Sequence, residues 1–247
     1  MSGDEIDRRG TEPAPPPPLT VSASELAAAA RGYVLLFWGV ALGLLLFFQA
    51  VRVTVIDLTR IPSYLAGCVV LLIGVGVLRL RAPRALRPPA RLWVAGALPV
   101  YLAPFVVWWN GAPHVGYFLA HVLALAAGTT WLLWELTRLA GRAGQFLGQP
   151  RFYREAHFWA WIIVLLAGLP LAAATILTSL AAARSGNGLY AEWFQVIYAG
   201  PRWFQAVAML PFTVAMACLW RARLLCLNLL HERREIAEAE GPGRSDE

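Results

Sequence analysis

The chain alternates between long apolar runs and short polar breaks. Six apolar runs stand out, near residues 33–50, 64–80, 92–109, 115–136, 158–183 and 203–220. A bilayer core takes about 20 consecutive apolar residues per helix. Each run approaches that length, so the pattern predicts an all-α fold: a polytopic transmembrane helical bundle of about six spans. Before the first run, Ser22 and Glu25 stand three apart ahead of an alanine stretch. That spacing is a capping box, and it predicts a helix that leads into the first span. The sixth run is expected to continue as a helix past Arg221 towards Glu240, where Gly241-Pro242-Gly243 stops it.

The ends are polar. Residues 1–24 read as a disordered Pro-rich tail containing Pro15 to Pro18, residues 25–230 as the six-helix domain, and residues 231–247 as a polar tail. The amino-terminal segment does not read as a secretory signal, because Asp4, Glu5, Asp7 and Glu12 spoil a basic n-region.

Composition sharpens the class. The 247 residues are 58% hydrophobic and 15% charged. A soluble domain is about 45–50% apolar and about 25% charged. All 21 basic residues are arginine, a bias expected of a GC-rich bacterial genome. Seventeen of them lie before the first run, in the second and fourth links, or after the sixth run. By the positive-inside rule, those segments and both termini are expected to be cytoplasmic, in the inner membrane. The same clustering at the ends of apolar runs argues against a nucleic-acid partner. The tryptophans also fall near run ends, as two interfacial belts would have them.

Three links are unusual. Val51–Ile61 is polar only at scattered positions. Thr137–His157 mixes apolar side chains with arginines, as an interfacial segment does. Arg184–Arg202 places Leu189, Trp193 and Ile197 four apart, which suggests an amphipathic helix at the outer surface rather than a re-entrant one. Leu-Pro recurs at Leu98-Pro99, Leu169-Pro170 and Leu210-Pro211 and reads as independent kinks. Asn110-Gly111-Ala112-Pro113 reads as a tight turn, with Gly111 in a left-handed position and Pro113 opening the next helix. Gly39, Gly43, Gly74 and Gly76 suit close helix packing.

Candidate chemistry is sparse. Glu135 is the carboxylate deepest in a run, and Arg138 or Arg142 is its expected partner. His114 and His121 share a helix face but are about 10 Å apart along it, too far for one metal. No HExxH, zinc-type cluster or GxSxG with suitable partners is present. Cys68, Cys218 and Cys226 read as buried free thiols. No cofactor or metal is therefore expected. The polar residues to watch are His121, Tyr101, Asn110 and Glu135, with His121 expected to pack against a neighbouring group more than to react.

The expected function is a non-catalytic subunit or scaffold of a bacterial membrane assembly. Its expected partners are the bilayer and other membrane subunits or further copies of itself. The alternative is a small-molecule or lipid permease. Six spans, cytoplasmic termini and an amphipathic outer loop before the last span are similar to ABC-2 export permeases, as an architectural analogy without a shared motif. The short, Pro-rich link at Arg81–Arg91 makes a poor coupling helix for an ATPase. An intramembrane enzyme using His121, Tyr101 and Asn110 is the third possibility.

Overall fold

The computed structural model describes residues 21–51, 61–81, 86–112, 115–185 and 202–239. These form α1 (Ala23–Val51), α2 (Ile61–Arg79), α3 (Ala90–Leu102), α4 (Pro104–Gly111), α5 (Gly116–Phe146), α6 (Pro150–Ile163), a π-helical turn (Val164–Gly168), α7 (Leu169–Ser185) and α8 (Arg202–Ala239). No strand occurs among the described residues. Residues 1–20 of the Pro-rich tail, 52–60 of the first link and 186–201 of the outer link lie outside them.

Among the described residues, four helical stretches are long and apolar enough to cross a membrane: Ala23–Phe47, Gly116–Phe146, Pro150–Leu180 and Val207–Ile236. The segments Ala66–Arg79 and Ala90–Val106 are apolar but shorter.

The start of α1 shows why a helix begins there. The Ser22 backbone N–H donates to Glu25 Oε2 at 2.8 Å, and the Glu25 N–H donates to Ser22 Oγ at 3.2 Å. This reciprocal pair is the predicted capping box. Val21 and Leu26 occupy the two staple positions around it, and both are buried. At the other end of the chain, α8 continues through Ala239, as the apolar pattern past Arg221 predicted. Its 38 residues span about 57 Å, nearly twice a bilayer core.

Helix α1 packs on α2 and on α8, and α5 packs on α3, α6 and α8. Lipid tails are as apolar as leucine, so close approach of backbones, not water exclusion, holds such helices together. On the α1–α2 seam, a Cβ added at Gly39 would meet Ile73 Cγ1 at 2.7 Å, and one at Gly76 would meet the Gly32 carbonyl oxygen at 3.0 Å. Gly39 and Gly76 thus serve the expected close packing. Gly43 makes only ordinary contact, Gly74 faces open space, and Gly32 joins the seam instead.

The link Thr137–His157 is not a loop. Helix α5 continues to Phe146, turns through Gly148 and re-enters as α6 at Pro150. Gly148 has φ +74°, and the Gln149 N–H reaches the Gly144 carbonyl at 2.7 Å while the Gly148 N–H reaches Gln145 at 3.4 Å. That is a Schellman motif. Gly144 lies so close to Phe152 that an added Cβ would sit 2.6 Å from its ring. The hairpin is tight because glycines at 141 and 144 remove the side chains between its arms.

Gly111 departs from expectation. It is the last helical residue of α4, and the left-handed glycine among the described residues is Gly148. The helix instead stops at Ala112, with φ −143° and ψ 67°, whose N–H caps the Trp108 and Trp109 carbonyls. A residue before proline is pushed out of the α region, so Pro113 ends the helix without a left-handed residue.

Buried side chains crowd towards one end of the bundle. They include Leu26, Ala29 and Tyr33 of α1, the stretch around Leu132–Leu147, Ala156 of α6, and Leu219, Ala222 and Cys226 of α8. Helix α7 buries none of its described side chains, 169–180. The bundle is therefore closed at one end and open at the other.

Candidate functional site

The closed end is arginine-rich and is tied together by those arginines. Arg81 lies over Trp93, joining the end of α2 to the start of α3. The Arg91 guanidinium Nε is 2.7 Å from Glu135 Oε1, joining α3 to α5. Arg221 donates to Glu155 and also lies over Phe152, joining α8 to α6, while Arg151 donates to Glu155 at 3.0 Å. Arg138 covers the Trp134 ring at 4.6 Å. Glu135 holds one arginine from another helix, Glu155 holds one from its own helix and one from α8, and the rings supply further faces for guanidinium groups.

Glu135 is 1% exposed. Its partner is Arg91 across the hairpin, not Arg138 or Arg142 on its own helix. The physical reason is direction. A side chain turned into the α3–α5 seam points away from the outer face of α5, and the start of α3 brings Arg91 to it. Arg142 remains within electrostatic reach of Glu135, Arg91 and Arg138.

His121 sits towards the opposite end, where α4 packs on α5. Its Nδ1 is 2.8 Å from the Tyr117 carbonyl oxygen one turn earlier, which assigns the hydrogen to Nδ1. Its ring stacks on Phe105 with centroids 4.0 Å apart and planes 19° apart. Tyr117 lies 4.3 Å away by centroids. Tyr101 is not part of this contact: it is 71% exposed and touches only the outer edge of the cluster through Phe105, at 6.4 Å. Asn110 is in the last turn of α4. The four candidates thus do not converge: His121 lies near the start of α5 and Glu135 in its second half.

The tryptophan pair splits. Trp108 is half-exposed, and Trp109 turns inward and is buried. Cys218 and Cys226 are buried as expected, whereas Cys68 faces out of the bundle. Among the described residues, no three of His, Cys, Asp and Glu come together as a metal ligand set.

A cleft of about 440 Å³ opens between α5 and α7. Small residues of α5, Gly116, Ala120, Ala124 and Ala127, form one wall. Leu171, Thr175, Thr178 and Ser179 of α7 form the other. The α7 hydroxyls are satisfied within their own helix: Thr175 donates to Leu171, Thr178 to Ala174 and Ser179 to Thr175, at 2.7–2.8 Å. The π-helical turn stands just before Pro170 and the first α7 residue lining the cleft, Leu171. π-turns are a recognised cause of helix bending. The α5 wall was visible in the sequence as small residues at spacings of four and three. What they faced was not.

Comparison of the chain with protein-family models, with curated proteins and with solved structures returns no match in any of the three.

Proposed function

We propose that this chain is a non-catalytic integral membrane protein, a subunit or scaffold of a bacterial membrane assembly, with six spans and both termini cytoplasmic. The observation that carries the reading is that the most apolar of the four long helical stretches, Pro150–Leu180, is also the least buried, with 11% of its apolar window inside the bundle. Leu165, Leu169, Ile176, Leu177 and Leu180 are all more than half exposed. Such a surface requires lipid or a protein partner against it. The two shorter helical segments support six spans rather than four. At 19 residues, α2 covers about 28 Å, close to a bilayer core. Helices α3 and α4 follow one another through Ala103, whose backbone is itself α-helical, and together have similar reach.

Reporter fusions test the topology. A reporter after Arg87 and one at Gly186 are expected on opposite sides of the membrane; both on one side refutes six spans. Mild-detergent purification of the full chain is expected to recover discrete membrane partners or a defined homo-oligomer. A monodisperse monomer without partners argues against a scaffold.

The cleft favours a second reading, the small-molecule or lipid permease. A permease needs a cavity that opens sideways or across the membrane, and the α5–α7 cleft is the feature that supports this reading. Ser179→Cys, in a chain without its three native cysteines, separates the two readings. Modification by a membrane-impermeant maleimide marks a water-accessible path. Protection in membranes marks a lipid- or protein-filled groove.

A further inference from the structure

A small crevice opens at the arginine-rich end, on the α5–α6 hairpin. Arg138, Gly141, Arg142, Tyr153 and His157 line it. Its interior is about 20 Å³, room for one oxygen-sized atom. The rest of any ligand must lie outside, at the surface of the bundle.

The donors around it include two arginines, and Arg138 lies over Trp134 as well. Arg138 and Arg142 have no carboxylate at ion-pair distance among the described residues, because Glu135 holds Arg91 and Glu155 holds Arg151 and Arg221. Trp161 Nε1 donates to His157 Nε2 at 3.3 Å, so the neutral ring carries its hydrogen on Nδ1 and remains a donor. Tyr153 stacks beside His157 with planes 20° apart, holding that ring in place. Gly141 allows the two helices to meet: a Cβ there would lie 2.9 Å from Ala156 Cβ. The spacing of the two arginines is set by one turn of α5, so both guanidiniums emerge on the same face.

We propose that this crevice binds a phosphate group, supplied by the headgroup of an anionic phospholipid. One phosphate oxygen enters the crevice, and Arg138 and Arg142 hold the others at its rim. Two guanidinium forks match a phosphate's oxygens in charge and geometry. The shallow interior suits a group presented from the membrane surface, and basic pockets between membrane helices bind such headgroups. The proposal rests on the membrane reading above. A chain that fractionates with membranes yet retains no anionic lipid refutes this site and leaves that reading standing.

The test uses the full chain reconstituted in phosphatidylglycerol and phosphatidylcholine, then extracted in mild detergent and weighed by native mass spectrometry. Wild type is expected to retain phosphatidylglycerol. Arg138→Gln/Arg142→Gln is expected to reduce retention about tenfold. Arg142→Lys keeps the charge but loses the fork, and a several-fold drop is expected from this milder variant. Arg79→Gln, which removes one exposed charge elsewhere at the same end, is expected to leave retention unchanged. Equal loss in Arg79→Gln, or full retention in the double variant, overturns the site. A second arm measures the melting temperature of lipid-free protein with millimolar inorganic phosphate. A rise in wild type that the double variant lacks, without any retained lipid, overturns the lipid source and assigns a soluble phosphate instead.

Discussion

The stacked pair of His121 and Phe105 accounts for the histidine without any reaction. Its Nδ1 proton is spent on the Tyr117 carbonyl, and its ring is spent on Phe105. His121→Phe is therefore expected to leave stability within about 1 kcal/mol, while His121→Ala loses the stacking contribution of about 0.5–1.5 kcal/mol. Denaturant unfolding in micelles measures both; a larger loss in the Phe variant would give the imidazole a role beyond packing. Glu135 is different, because its charge is buried and its removal strands Arg91. Arg91 is 40% exposed, so the loss for Glu135→Ala is expected near about 2 kcal/mol, below the range for fully buried pairs. Replacing both residues with leucine should recover more than half of it, which a double-mutant cycle reads directly. Tyr33 is fully buried, and its hydroxyl has no hydrogen-bond partner among the described residues. Tyr33→Phe is expected to be neutral or to stabilise by about 1 kcal/mol in the same assay. Glu135 and His121 were both legible as polar residues in apolar runs. Their partners were not, because Arg91 and Phe105 come from another helix and contribute nothing to local pattern.

Among the helices, glycine shows how position decides the sign of a substitution. Gly39 and Gly43 share one spacing and read alike in the sequence. In the seam, an added methyl at Gly39 strikes Ile73 at 2.7 Å, whereas at Gly43 the nearest atom, on Val69, is 4.0 Å away. Gly39→Ala is expected to destabilise by about 1–3 kcal/mol through overpacking. Gly43→Ala is expected to stabilise by about 0.5–1 kcal/mol through helix propensity. Opposite shifts in melting temperature confirm the seam; shifts of one sign refute it. The three Leu-Pro steps make the same point. Pro99 lies inside α3, and α3 gives way to α4 four residues later at Ala103, before Pro104. Pro170 follows a π-helical turn, and Pro211 sits within an uninterrupted α8. One motif thus stands in three different backbone settings.

Taken whole, the bundle is braced at the end where the chain's two described extremities meet. Arg233 of α8 donates to the Val21 carbonyl just before α1. The first turns of α1 and the extension of α8 cover each other, burying Leu26, Ala29 and Cys226. Truncation after Arg223 is expected to uncover that face and cost about 2–4 kcal/mol, with a lower melting temperature and increased aggregation of the purified protein. An unchanged melting temperature would show that the extension is dispensable. At the far end, α7 packs only lightly on α5 and leaves the cleft, whereas arginines and glycines bring the helices together at the other end.

The sequence alone was sufficient for the helical class, the apolar runs, the capping box that starts α1 and the continuation of α8. These follow from periodicity, length and local hydrogen bonding, which depend on residues a few positions apart. The pairing of Glu135 with Arg91, the inward turn of Trp109, the separation of His121 from Glu135, the cleft and the crevice at Arg138 and Arg142 emerged only from the fold. Each depends on which helix faces which, and lipid-like side chains on every face leave that choice to backbone fit and buried charge, which no single run of sequence records.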